Sequence, residues 1–105
     1  TVTGAYTGIT ENNFTPEDML LSTLYAMTNE LYGMYASSGK KCVSLVCSGN
    51  GIRKNAALRK ITSKTFGCEV QVPFYKEEAA YGAALTSMAG AKIKTLEEAR
   101  QLIRY

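Results

Sequence analysis

Ser48-Gly49-Asn50-Gly51 is the stretch of this sequence whose residue types could do chemistry most directly. It follows the apolar run 42–47 and precedes residues of helical spacing, so it reads as a tight turn from a strand into a helix. Such a turn exposes backbone N–H groups beside a helix N-terminus, and phosphate favours both features. Glycine lets the backbone approach a bulky anion with no Cβ in between. Ile52 and Arg53 follow Gly51, so neither G-x-G-x-x-G nor G-x-x-x-x-G-K-[ST] is present. Two readings stay open on this local pattern: a nucleotide or phosphate contact, and an ordinary βα turn.

Two further segments bear on the same chemistry. Arg53, Lys54, Arg59, Lys60 and Lys64 make the following helix basic, with Arg53, Lys60 and Lys64 near one face. That face reads either as a solvated surface or as a polyphosphate contact. It lacks the interleaved aromatic residues of a nucleic-acid surface, and no nucleic-acid partner is expected. Gly82 lies inside the small-residue run Glu77-Glu78-Ala79-Ala80-Tyr81-Gly82-Ala83-Ala84-Leu85. A glycine within a helix costs about 1 kcal/mol relative to alanine, so its position calls for close packing or close approach of a ligand. Backbone-close packing on a sheet and a helix that backs a nucleotide cleft are the two alternatives.

Other chemistries are excluded by what the chain lacks. It contains no histidine, which removes His-based zinc sites, Ser-His-Asp and Cys-His hydrolysis and histidine general bases. Its only aspartate, Asp18, sits three residues after Thr15 at a helix start. No catalytic residue and no metal ligand is assigned. Cys42, Cys47 and Cys68 are odd in number and are expected to be buried, reduced and unligated, which suits a cytoplasmic protein.

The elements that position these residues follow from spacing. Thr15 caps and Pro16 opens a helix over about 16–36. Leu20, Leu24, Met27, Leu31 and Tyr35 form its apolar stripe. Leu21, Tyr25, Thr28 and Tyr32 broaden the stripe, which predicts packing against both a sheet and a neighbour. A buried strand is expected over 42–47, a helix over 55–66 stopped by Gly67, and a second strand over 69–72 closed by Pro73. Helices are expected over 77–89 and 95–104, the last opened by a Thr95–Glu98 capping box. A short edge strand is expected around Ala5-Tyr6. Strand, helix, strand implies two parallel, adjacent strands. The fold class is therefore α/β, a small parallel sheet with flanking helices.

The chain has 105 residues, 46% of them hydrophobic, with 12 basic against 9 acidic side chains for a net charge of +3. That is one domain at most, globular in composition. No apolar run reaches the ~20 residues of a membrane helix, and no membrane partner is expected. The opening in mid-phrase and the small sheet read as a fragment of a longer chain. The broad apolar helix beside so small a sheet leaves homo-oligomerisation as an expectation.

Three blocks in series resemble the C-terminal ATPase-type domain of the FGGY carbohydrate kinases. The first is Asn13-Phe14-Thr15-Pro16-Glu17-Asp18 leading into a long helix with Glu30-Leu31. The second is Ser48-Gly49-Asn50-Gly51-Ile52-Arg53-Lys54-Asn55-Ala56-Ala57-Leu58-Arg59, which is similar to that family's "strand, SGG or DGG, Asn-x-x-Leu" block. The third is Val70 through Pro73 with Glu77 to Leu85, which is similar to "E-x-A-A-x-G-A-A". Asn50 stands where the family pattern has the second glycine of a pair. The spacing from Gly51 to Asn55 and the Tyr81-Gly82 pair resemble the sedoheptulose kinase branch, while xylulose and related kinases share the general pattern.

The resemblance implies a partial ribonuclease H-like (actin-like ATPase) domain, with residues 1–105 forming the C-terminal part of the ATP-binding domain of a sugar kinase. It implies ATP and Mg²⁺, with Gly49, Asn50 and Gly51 at the phosphates, Asn55 toward the nucleoside and Gly82 backing the site. The sugar and the catalytic base would belong to an N-terminal sugar-binding domain, leaving this segment inactive alone. An actin-like ATPase regulator and a non-enzymatic α/β interaction module are the competing expectations.

Overall fold

The computed structural model describes residues 3–105. The chain divides into two compact units, one ending at Gly39 and the other spanning Lys40–Tyr105.

In the first unit, α1 runs over Pro16–Ala36. Thr15 caps it: its Oγ1 accepts from the Asp18 amide at 3.1 Å and donates to Asp18 Oδ2 at 2.7 Å. Pro16 occupies the first turn, where a missing N–H costs nothing, and Glu17 and Asp18 face the positive end of the helix dipole. The segment before α1 is held by side chains rather than by a ladder. Asn13 Oδ1 accepts from the Thr10 amide at 2.7 Å, and Asn13 Nδ2 donates to the Gly8 carbonyl at 2.9 Å. The edge strand expected around Ala5-Tyr6 is therefore absent; Tyr6 instead pairs its hydroxyl with Thr23 Oγ1 of α1 at 2.8 Å. The α1 stripe is covered only in part: Leu24 and Tyr35 are half-buried and Thr28 is buried, while Leu20, Met27 and Leu31 are 70%, 53% and 58% exposed, the exposed apolar surface expected of a fragment.

In the second unit, β1 (Leu45–Val46) and β2 (Val70–Gln71) pair in parallel, Leu45 with Val70 and Val46 with Gln71. Both strands are far shorter than the runs 42–47 and 69–72 suggest. With a single partner, the ladder flanking them consists of the Leu45 amide on Glu69 O and the Cys47 amide on Gln71 O. Val43 bends out and is 88% exposed. The crossover is two helices rather than one. Helix α2 (Asn50–Lys54) starts inside the expected turn, so Asn50 and Gly51 are already helical. Helix α3 (Ala56–Phe66) follows after one joint residue, Asn55. Gly67 ends α3 in the left-handed region, at φ 66°.

Helices α4 (Glu78–Gly90) and α5 (Leu96–Arg100) complete the unit. The capping box of α5 is complete, with Thr95 and Glu98 each accepting from the other's backbone amide. The helix stops four residues short of the expected 104 because the chain turns back onto other partners. The Phe74 amide donates to Arg104 O at 2.9 Å, and the Tyr81 hydroxyl donates to Leu102 O at 2.8 Å. The core is small: Ile52, Ile61, Leu85 and Ala99, one buried apolar side chain from each of α2 to α5. The cysteines are free and half-buried rather than fully buried. Among the described residues, no helix is long and apolar enough to cross a membrane.

Candidate functional site

A cavity of about 240 Å³ opens in the second unit where the chain leaves β1 and β2. Val46 and Ser48 form the β1 side, Pro73 and Tyr75 the β2 side, and Glu78, Tyr81, Gly82 and Leu85 the wall from α4. Ile103–Tyr105 closes the last side. Ligands of parallel α/β sheets bind outside the carboxyl ends of the strands, the position this cavity occupies.

Its aromatic wall is built by stacking. The Tyr75 and Tyr81 rings lie 4.2 Å apart at 24°, and Phe74 meets Tyr75 edge-on at 5.3 Å. Loss of surrounding water, with Tyr75 adding to it, holds the Tyr81 phenol above its ordinary value. Tyr81 is therefore a protonated donor at neutral pH, committed to Leu102 O.

Gly82 sits in the interior of α4, at the cavity. A Cβ built on it meets nothing within 4 Å. Packing inside this chain therefore does not demand glycine here, as it does not at the chain's other glycines.

The glycine turn divides into two physically different positions. Gly49 is the N-cap of α2 at φ 95°, ψ 160°, a region essentially restricted to glycine. Its presence is accounted for by backbone conformation alone. Gly51 lies within α2, has no positive φ, and a Cβ there would also meet nothing within 4 Å. Asn55 ends α2 and caps α3, its Oδ1 accepting from the Leu58 amide at 3.0 Å. The Asn-x-x-Leu spacing is thus the cap-to-N3 spacing of a helix start. Of the expected site residues Gly82 lines the cavity, as does Ser48 at the head of the turn. Gly49, Asn50, Gly51 and Asn55 are not among its lining residues.

The basic face needs a correction. Arg53 belongs to α2 and turns inward, away from the surface it was expected to share with Lys60 and Lys64. Its Nη2 shares its two hydrogens among three acceptors, Pro73 O at 2.7 Å, Tyr75 O at 3.0 Å and Glu78 Oε1. Its Nε is buried with no hydrogen-bond partner among the described residues. The hydrogen bond from Arg53, together with the backbone amides of Glu78 and Gly49, holds the Glu78 carboxyl below the ordinary carboxylate range. Arg59 is likewise internal, its Nη1 donating to Ile52 O at 2.9 Å and Arg53 O at 2.6 Å at the end of α2. Sequence spacing missed Arg53 and Glu78 because their partners lie 20 or more residues apart.

The larger groove in the first unit, about 830 Å³ between the segment around Tyr6 and α1, is a weaker candidate. Its lining is dominated by apolar and aromatic side chains such as Ile9, Phe14, Leu21 and Tyr25, and its one charged group, Asp18, is committed to the Thr15 cap. Among the described residues no group of three His, Cys, Asp or Glu side chains is placed to hold a metal ion.

The model of the FGGY family of carbohydrate kinases, C-terminal domain, matches residues 1–91. No curated protein and no solved structure matches the chain.

Proposed function

Because the chain belongs to the FGGY family of carbohydrate kinases, as part of its C-terminal domain, we propose that it forms the nucleotide side of an ATP-dependent sugar kinase of ribonuclease H-like fold. The nucleotide lies at the strand ends, its phosphates over Ser48-Gly49-Asn50-Gly51, its nucleoside toward Asn55, and Gly82 backs the site. The observation that carries this reading is the cavity at the ends of β1 and β2, lined by both Ser48 of the glycine turn and Gly82 of α4.

The reaction is transfer of the ATP γ-phosphoryl to a sugar hydroxyl. The part of these residues is to bind and orient. Backbone N–H groups of the turn face the phosphates, and the absence of side chains at Gly51 and Gly82 lets the nucleotide lie against the backbone. The aromatic wall of Tyr75 and Tyr81 excludes water. The family's two-domain plan puts the base that takes the sugar hydroxyl's proton on an N-terminal sugar-binding domain, and Asp18 here serves its helix cap. The described residues do not fit a resident metal site; Mg²⁺ enters as part of the nucleotide substrate. By themselves these residues transfer no phosphoryl group.

Gly51→Val in the full-length protein tests the reading. Gly49 is unsuitable, because any Cβ there is strained by its φ whatever binds above it. The Gly51 variant is expected to fold, to raise the ATP KM tenfold or more and to leave the sugar KM nearly unchanged. A folded variant with wild-type ATP kinetics removes the phosphates from this turn.

A further inference from the structure

Helix α2 has five residues, too few to be stable by itself in water. It nevertheless carries Asn50 and Gly51 of the proposed nucleotide contact. Arg59 holds its last carbonyls and Ile52 anchors it in the core, and its long-range bonds are made by one side chain. The Arg53 amide donates to Gly49 O at 3.1 Å, so the residue is fixed to the start of the glycine turn. Its guanidinium then reaches the Pro73 and Tyr75 carbonyls and the Glu78 carboxylate. Pro73, Tyr75 and Glu78 all line the cavity. The side chains of Arg53 and Glu78 are each 20% exposed, so the pair is shielded enough to hold one geometry. All three contacts are charge-assisted and come from the one nitrogen at the tip of the arginine, which the shorter lysine side chain reaches only in part.

We propose that Arg53 and Glu78 are positioning residues for the nucleotide: their ion pair clamps the glycine turn to the Pro73–Glu78 wall of the cavity and so sets the distance between the two surfaces that ATP must span. The proposal rests on the nucleotide reading above and adds residues that touch the turn and the wall rather than the reacting atoms. Glu78 works from α4, which walls the cavity, and Arg53 from α2, which follows the lining residue Ser48, so the clamp ties α2 to that wall. Lys60 and Lys64, on the outer face of α3, take no part in it.

The test is MgATP binding to the full-length protein by titration calorimetry, with thermal unfolding measured in parallel. Arg53→Ala is expected to weaken MgATP binding about ten- to a hundredfold at a temperature where the variant is fully folded, as misplacement by about 1 Å can do. Arg53→Lys is expected to recover part of that loss, and Glu78→Gln to weaken binding at least threefold with its unfolding midpoint little changed. A role confined to stability would lower the midpoint of all three variants and leave the affinity of the folded protein alone, and that result overturns the clamp. Should Arg53→Ala fail to fold, Glu78→Gln decides: wild-type affinity in that variant overturns the proposal. Wild-type protein that binds no MgATP overturns the nucleotide reading and the clamp with it, whereas wild-type binding with unaffected variants removes the clamp alone.

Discussion

Replacing Gly82 by alanine is expected to stabilise the protein and weaken its nucleotide binding at the same time. The two effects have separate origins. Gly82 lies inside α4, has no positive φ, and offers open space to a new Cβ. The folded chain therefore accepts the methyl group without strain, and the helix gains the difference between glycine and alanine, about 0.5–1 kcal/mol. At 1 kcal/mol the unfolding midpoint rises by about 2–8 °C, depending on how many residues unfold together. The same methyl projects into the space at the cavity, where a bound nucleotide would meet it. Overfilling a packed contact by one methyl costs about 1–3 kcal/mol, which is about 5- to 150-fold in Kd. Thermal unfolding by circular dichroism reads the first effect and MgATP titration the second. A destabilised variant would show that Gly82 is needed for packing, against the geometry described here. A stabilised variant with wild-type affinity would show that no ligand approaches this face of α4, and would refute the placement of the nucleotide.

Two other outcomes follow from particular bonds. Asn55→Asp keeps a side-chain oxygen to cap α3 but loses the amide hydrogens, whereas Asn55→Ala loses both. Stability should fall by about 1 kcal/mol in the alanine variant alone, and MgATP affinity should fall in both if the Asn55 amide faces the nucleoside; unchanged affinity in the folded aspartate variant assigns Asn55 to capping only. The hydrogen bond with Cys42, then burial and the neighbouring thiols, push the Cys68 thiol up to about 11, so roughly one molecule in a thousand carries its thiolate at pH 8. Alkylation at pH 8 should mark Cys68 far more slowly than in denatured protein, which should titrate three free thiols; rapid labelling of the native protein would contradict this. The unfolded chain loses the Cys68 proton near its ordinary value of 9.0 and the folded chain later, so this thiol's contribution to stability is present below pH 9 and declines as pH rises toward 11.

The features legible in the sequence are those decided within a few residues. The Thr15 cap with Pro16, the left-handed Gly67 and the Thr95–Glu98 box were all readable because donor and acceptor sit within one turn. The parallel pairing of β1 and β2 was readable from the crossover between them. The lengths of the strands were not, since a ladder extends only where a partner strand runs beside it. The end of α5 was equally hidden, because Leu102 and Arg104 are taken by Tyr81 and Phe74, distant in sequence. At the candidate site, residue types nominated Gly82 and the glycine turn. Only backbone dihedrals separate Gly49, whose glycine the fold itself requires, from Gly51, whose glycine it does not. The inward turn of Arg53 had no local signal, for a basic residue on a short helix reads as surface until its acceptors are placed.

The pairing of Leu45 with Val70, closed over a long intervening segment, predicts an order of events during folding. Two strands this short cannot hold together while the chain between them is a flexible loop, because closing that loop costs entropy before any contact compensates. Helix α3, formed locally from the Asn55 cap to Gly67, stiffens and shortens the intervening chain. The strands then meet over a nearly preset span, and the cavity appears only when they do. Substitutions at the α3 cap should slow folding, while substitutions in the strands should chiefly speed unfolding.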